Sequence, residues 1–169
     1  MAKFKRYFQE EDWVFLTLVT GNRRQWLSGD GEKRRVLNCM RELKQAKPFR
    51  HLAHVILDDH MHWLLIASEE HPVPALVSAL KRLVCFSRRD DGLFWRDLWQ
   101  ARYYDHILRN ERDFHVHMDY IHFNPVKHGY VSRPADYRWS SFQSWVSRGV
   151  YDSHWGEQEP QLIRGLELE

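Results

Sequence analysis

The sequence predicts an α+β fold of the ferredoxin-like kind: an antiparallel sheet built in the order β-α-β-β-α-β, with one further helix toward the C-terminal end. Three observations lead there. Runs of β-branched and aromatic residues at 13–20, 50–58 and 60–68 have strand character. Segments at 31–47, 74–89 and from 110 onward repeat apolar residues at helical spacing. The two kinds of segment alternate with no repeat, linker or low-complexity stretch between them.

In chain order, "WVFLTLVT" closes on Gly21-Asn22 and reads as a strand followed by a turn. "GEKRRVLNCMRELKQAK" places Val36, Leu37, Met40 and Leu43 on one helical face and stops before Pro48. "RHLAHVILD" and "HMHWLLIAS" are strands joined by a short reversal at Asp58-Asp59. From Pro74 to about Arg89, Leu76, Leu80, Leu83 and Val84 share a face, with Lys81, Arg82, Arg88 and Arg89 elsewhere. "LWQARYYDHIL" reads as a fourth strand. The last helix starts near Asn110, turns Phe114, Met118 and Ile121 inward, and ends around Asn124-Pro125, because proline biases the residue before it away from helical geometry. An ending there aims the Asn124 amide off the helix end. "DYRWSSFQSWVSRG" reads as a short helix in a tail that covers the sheet or folds over the site. Residues 1–150 are expected to form one domain and 151–169 a C-terminal tail, with its flexibility left open. The closing "LELE" reads in part as a cloning remnant and is left out of the fold argument.

At 169 residues, 43% hydrophobic and 14% aromatic, the chain has enough apolar surface for a real core. No run approaches the ~18 apolar residues of a membrane span. The two cysteines, Cys39 and Cys85, form no CxxC pair, which argues against a disulfide scaffold or a thiolate zinc site. No export signal opens the chain, so a reducing cytoplasm, near the nucleoid, is the expected compartment.

A net charge of +2 identifies no partner, but its distribution is more informative. "AKFKRYF", "GNRRQW", "EKRRVL", "LKRLVCFSRR" and "LWQARYYDHILR" interleave cations with aromatics. Such surfaces suit a single-stranded nucleic acid, whose phosphates need charge and whose unstacked bases need flat faces. Solvated helix faces and Arg stems covering core edges explain the same pattern.

"HVILDDHMHWLLI" sets three histidines and two aspartates in an apolar strand. Strand alternation points His60 and His62 one way and Met61 and Trp63 the other, so two imidazoles converge from one rigid element. A pair like this supplies two metal ligands, and it also occurs on half-exposed strands. His54 reads as a bystander. In "HVHMDYIHFNPVKHGYV", Tyr120 and Asn124 lie four apart on one helical face with His117 a turn earlier.

"VILDDHMHWLL", "WQARYYDHILRNERDF", "YIHFNPVKHGYV" and "RWSSF", in this order, resemble the REP-associated tyrosine transposases of the single-tyrosine HUH superfamily. The resemblance implies that Tyr120 is the catalytic nucleophile, that His60 and His62 bind a divalent metal (Mg²⁺ or Mn²⁺), and that Asn124 is the third, helix-borne ligand. It implies a substrate of single-stranded DNA bearing palindromic hairpins, cut and rejoined through a 5′-phosphotyrosine. A non-catalytic hairpin-binding protein and a nuclease using water are the alternatives. Asp58 stands where many relatives have proline. His117 is a candidate proton acceptor, and Asp105 and His106 are candidates to orient a metal-bound histidine. Lys5, Arg6, Lys81, Arg82, Arg102 and Arg109 are the expected DNA contacts, and a monomer is expected over a homodimer.

Overall fold

Four strands form one antiparallel sheet in the computed structural model, which describes residues 11–88 and 95–168. They are β1 (Trp13–Val19), β2 (Arg50–Ile56), β3 (His60–Ile66) and β4 (Tyr104–Ile107), in the spatial order β2-β3-β1-β4. β1 reaches β2 through helix α1 (Asp30–Ala46), and β3 returns between them as the hairpin partner of β2. Helix α2 (Val73–Phe86) and the short α3 (Trp95–Leu98) lead to β4, and α4 (Glu111–Lys127) follows. This is the ferredoxin-like order expected from the sequence.

β3 is buried at every position, as a central strand covered on both faces must be. Register sets Thr17 opposite His62 and Tyr104, and Phe15 opposite Leu64 and His106. Those residues share one face with His60, and α4 lies on it. The other face carries Leu16, Leu18, Met61 and Trp63, all fully buried. Val36, Met40 and Leu43 of α1 and Leu76 and Leu80 of α2 join them in a single core.

Two elements depart from the sequence reading. The expected strand at "LWQARYYDHIL" is divided: residues up to Leu98 form α3, Trp99 makes an isolated bridge to Thr20, and only Tyr104–Ile107 pairs with β1. Burial of Trp99 against Trp26, whose indole donates to the Leu98 carbonyl at 2.8 Å, overrides the strand propensity. The last helix runs through Pro125 to Lys127. An interior proline costs about 3 kcal/mol. Unbroken burial from His117 to Pro125 outweighs it. Its start is as read: Asn110 accepts from the Asp113 amide at 3.0 Å, a side-chain cap.

The tail belongs to the structure. A short helix α5 (Phe142–Val146) follows an isolated bridge of Ser140 to Val55 at the sheet edge. Ile163 is buried, and Gly156, at φ +82, lies where a Cβ would collide with Pro134. Among the described residues no helix is long and apolar enough to cross a membrane.

Candidate active site

The strand period sends His60 and His62 to the face that α4 covers, where Tyr120 meets them. The Tyr120 and His62 rings lie 5.3 Å apart, and those of His60 and His62 lie 5.0 Å apart. Phe15 stacks on His62 at 5.2 Å and meets the Tyr120 ring edge-on at 6.2 Å, fixing both. All three site rings come from one chain.

Each histidine is oriented through Nδ1. His60 Nδ1 donates to Asp59 Oδ1 at 2.6 Å. Thr17 Oγ1 spends its single proton on the Leu168 carbonyl at 3.0 Å, so it accepts from His62 Nδ1, 2.9 Å away. With Nδ1 protonated in both rings, Nε2 is the nitrogen that carries the lone pair, as a metal-binding imidazole requires. Burial pushes the Asp59 carboxyl up, but its bonds to His60 and Arg23 hold it below the usual carboxylate range, so it stays an anion beside His60. The sequence reading gave Asp59 to the turn alone. Its partner Asp58 is a turn residue, tied at 2.6 Å to the buried Lys33 ammonium, and this bond holds the reversal.

Asn124 sits one helical turn beyond Tyr120, fully buried, and neither Oδ1 nor Nδ2 has a hydrogen-bond partner among the described residues. The expected aim off the helix end is corrected: α4 continues, so the amide projects from its side. A buried amide left unpaired costs about 1–3 kcal/mol. A cation taking Oδ1 would offset that cost, so two imidazoles and this amide fit a divalent ion.

The Tyr120 hydroxyl is held from two further sides. It accepts from Lys127 Nζ at 3.3 Å and from the Leu168 amide at 3.2 Å. Lys127 also lies over the Tyr120 ring, 4.9 Å from its centre. The sequence reading missed both. Lys127 was visible as the residue seven beyond Tyr120, two turns along the same face. Leu168 lay in the segment set aside as a remnant.

Other candidates are placed elsewhere. His54 points to the opposite face, bonded to His51 at 3.0 Å, and is a bystander as expected. His106 pairs with Asp113 at 3.0 Å and stacks on His117 at 4.9 Å instead of supporting His60 or His62. His117 Nδ1 donates to the Asp113 carbonyl at 2.8 Å; burial lowers its pKa against the raising effect of Asp113. Lys81 corrects the expected exposed cation: it is 3% exposed, and its ammonium donates to the Gln100 carbonyl at 2.7 Å. Arg82, Arg102 and Arg109 are exposed. Lys5 and Arg6 lie outside the described residues. Part of the cation and aromatic interleaving is internal cover, as Arg88 lies 5.1 Å over Trp26.

A ferredoxin-like sheet with a His-x-His strand facing a helix-borne tyrosine defines a class of DNA strand transferase. Residues 13–124 match the family described as "Transposase IS200 like", and the chain belongs to that family of tyrosine transposases. Within it, the chain is 31% identical over 157 residues to the REP-associated tyrosine transposase of Escherichia coli (strain K12), covering 92% of this chain and 91% of the relative. A similarly named protein of Haemophilus influenzae is 29% identical, covering 98% and 99%. The solved structure of a REP-associated tyrosine transposase bound to a REP hairpin superposes with a TM-score of 0.83 at 28% identity, covering 100% of this chain and 99% of that one.

Proposed function

We propose that this chain cuts and rejoins single-stranded DNA beside REP hairpins through a covalent 5′-phosphotyrosine on Tyr120. One observation carries the reading: Tyr120 stands beside His62 of its own chain, with the unpaired Asn124 amide one turn further along the same helix. His60, His62 and Asn124 would hold Mg²⁺ or Mn²⁺. When bound, such an ion would supply charge neutralisation at the non-bridging phosphate oxygens as charge shifts to the leaving group.

The remaining chemistry belongs to the protein. Tyr120 Oη attacks the phosphorus in line and gives up its proton. The new P–O bond forms on tyrosine while the P–O3′ bond breaks, and the departing 3′ oxygen takes up a proton. Lys127 offsets the negative charge that the phenol gains as it attacks. Because a phosphodiester is exchanged for a phosphodiester, a 3′-hydroxyl can reverse the step and join another strand with no external energy. A site complete within one chain supports a working monomer. Arg82, Arg102 and Arg109 are the exposed cations for phosphate contact, so hairpin affinity should fall with salt.

The deciding experiment is covalent capture on a REP-hairpin oligonucleotide with Mn²⁺. A denaturation-resistant adduct is expected, lost in Tyr120→Phe. Cleavage that survives Tyr120→Phe would assign the site to hydrolysis by water, and hairpin binding with no cleavage in the unsubstituted chain would assign it to a binding protein.

A further inference from the structure

We propose that His106, Asp113 and His117 form a second divalent transition-metal site, distinct from the one at His60 and His62. His106 lies on the edge strand β4, while Asp113 and His117 stand one turn apart near the start of α4. His106 Nε2 is 3.0 Å from Asp113 Oδ2, and His117 Nδ1 is 3.1 Å from Asp113 Oδ1. The three ligand atoms lie within 4.8 Å of one another. Such separations let one ion replace the hydrogen bonds with small side-chain shifts. β1 runs between the two histidine strands, which sets the sites on the order of 10 Å apart at the usual strand spacing.

The donors are already ordered. The Arg109 amide donates to Asp113 Oδ2 at 3.0 Å, and the Asn110 cap holds the Asp113 backbone. His106 and His117 stack at 4.9 Å and 20°. His117 Nε2 is buried with no hydrogen-bond partner among the described residues, so the proton now on Nδ1 can move to Nε2 without displacing a bond seen there. Freeing Nδ1 as a ligand then costs its bond to the Asp113 carbonyl and its contact with Asp113 Oδ1, which the shared ion would replace.

Two imidazoles and one carboxylate suit Zn²⁺, Co²⁺ or Mn²⁺ over Mg²⁺ or Ca²⁺, which prefer all-oxygen shells. His106 and Asp113 line a cleft of about 350 Å³ together with Arg109 and Arg112, which leaves room for water to complete the coordination. An ion here would tie β4 to α4 one turn before Tyr120.

The test uses tag-free His60→Ala/His62→Ala protein titrated with Co²⁺. One equivalent with visible ligand-field absorption is expected, lost when His106→Gln or His117→Gln is added. No Co²⁺ binding in the background protein, or binding unchanged by His106→Gln and His117→Gln, overturns the proposal. Should those variants fail to fold, diethylpyrocarbonate footprinting of the background protein decides. Zn²⁺ protection of His106 and His117 supports the site, and unchanged modification overturns it.

Discussion

The backbone amide of Leu168 donates to the Tyr120 hydroxyl across 3.2 Å, placing the 166–168 segment on the proposed nucleophile. Leu168 also accepts from Thr17, and the Leu166 carbonyl accepts from Lys127 at 3.1 Å, so one short segment engages three site residues. Tyr120 is 1% exposed, and this segment is part of what covers its hydroxyl.

Removing residues 166–169 should therefore raise the rate of adduct formation. Three hydrogen bonds at about 0.5–1.5 kcal/mol each make a tenfold or larger gain reasonable. Single-turnover cleavage of a hairpin oligonucleotide measures it. An unchanged rate with unchanged thermal stability would mean that the tail is not a barrier.

Lys127→Met should slow covalent attack at neutral pH by roughly ten- to a hundredfold, the range of one charge-assisted hydrogen bond. Lys127→Arg should recover most of the loss. The slowed variant should gain more from rising pH than the parent protein, because added base substitutes for the missing cation. Parallel pH profiles for both proteins would limit Lys127 to packing.

Thr17→Val keeps the β-branched shape of a central strand position and removes the acceptor for His62 Nδ1. Metal affinity should drop about 10- to 100-fold while the melting temperature in the absence of metal changes little. Titration of Mn²⁺ by calorimetry reads the first quantity and thermal unfolding the second.

How far the site could be read from sequence follows from which physics places each residue. His60 and His62 obey a period of two and Tyr120 and Asn124 a period near four, so local geometry reveals each pair. Their meeting depends on the crossing of α4 over the sheet, which only the resemblance to a family supplied. Helix continuation past Pro125, the division of the fourth strand at Trp99 and the burial of Lys81 are all tertiary effects, set by packing partners distant in sequence. Thr17 and Leu168 were invisible for the same reason: each acts through hydrogen bonds to residues more than 40 positions away.

Asn124→Leu should move activity and stability in opposite directions. The parent side chain buries an amide with no partner, a cost of about 1–3 kcal/mol that leucine of similar volume avoids. The melting temperature without metal should hold or rise. Metal-supported cleavage should fall strongly, because the proposed third ligand is gone. A large drop in stability would show that the amide is bonded within the fold and would count against ligation.

Acid should destabilise the fold through buried histidines that the proposed chemistry does not use. Burial lowers His122 to about 3 and, with Lys44 and Arg148 nearby, lowers His51 to about 4, while His54 is also pushed well below the ordinary value. Unfolded histidines titrate near 6.5, so the unfolded chain takes up protons that the folded chain refuses. The stability they contribute is fully present above pH 6.5. It is lost as pH falls from there toward the folded values, by about 1.4 kcal/mol per pH unit for each such group. Urea unfolding at pH 7 and pH 5 should show the loss, and His122→Gln, which keeps a polar group near Ser141, should shrink the difference. An identical difference in the variant would mean that His122 does not titrate between the two states.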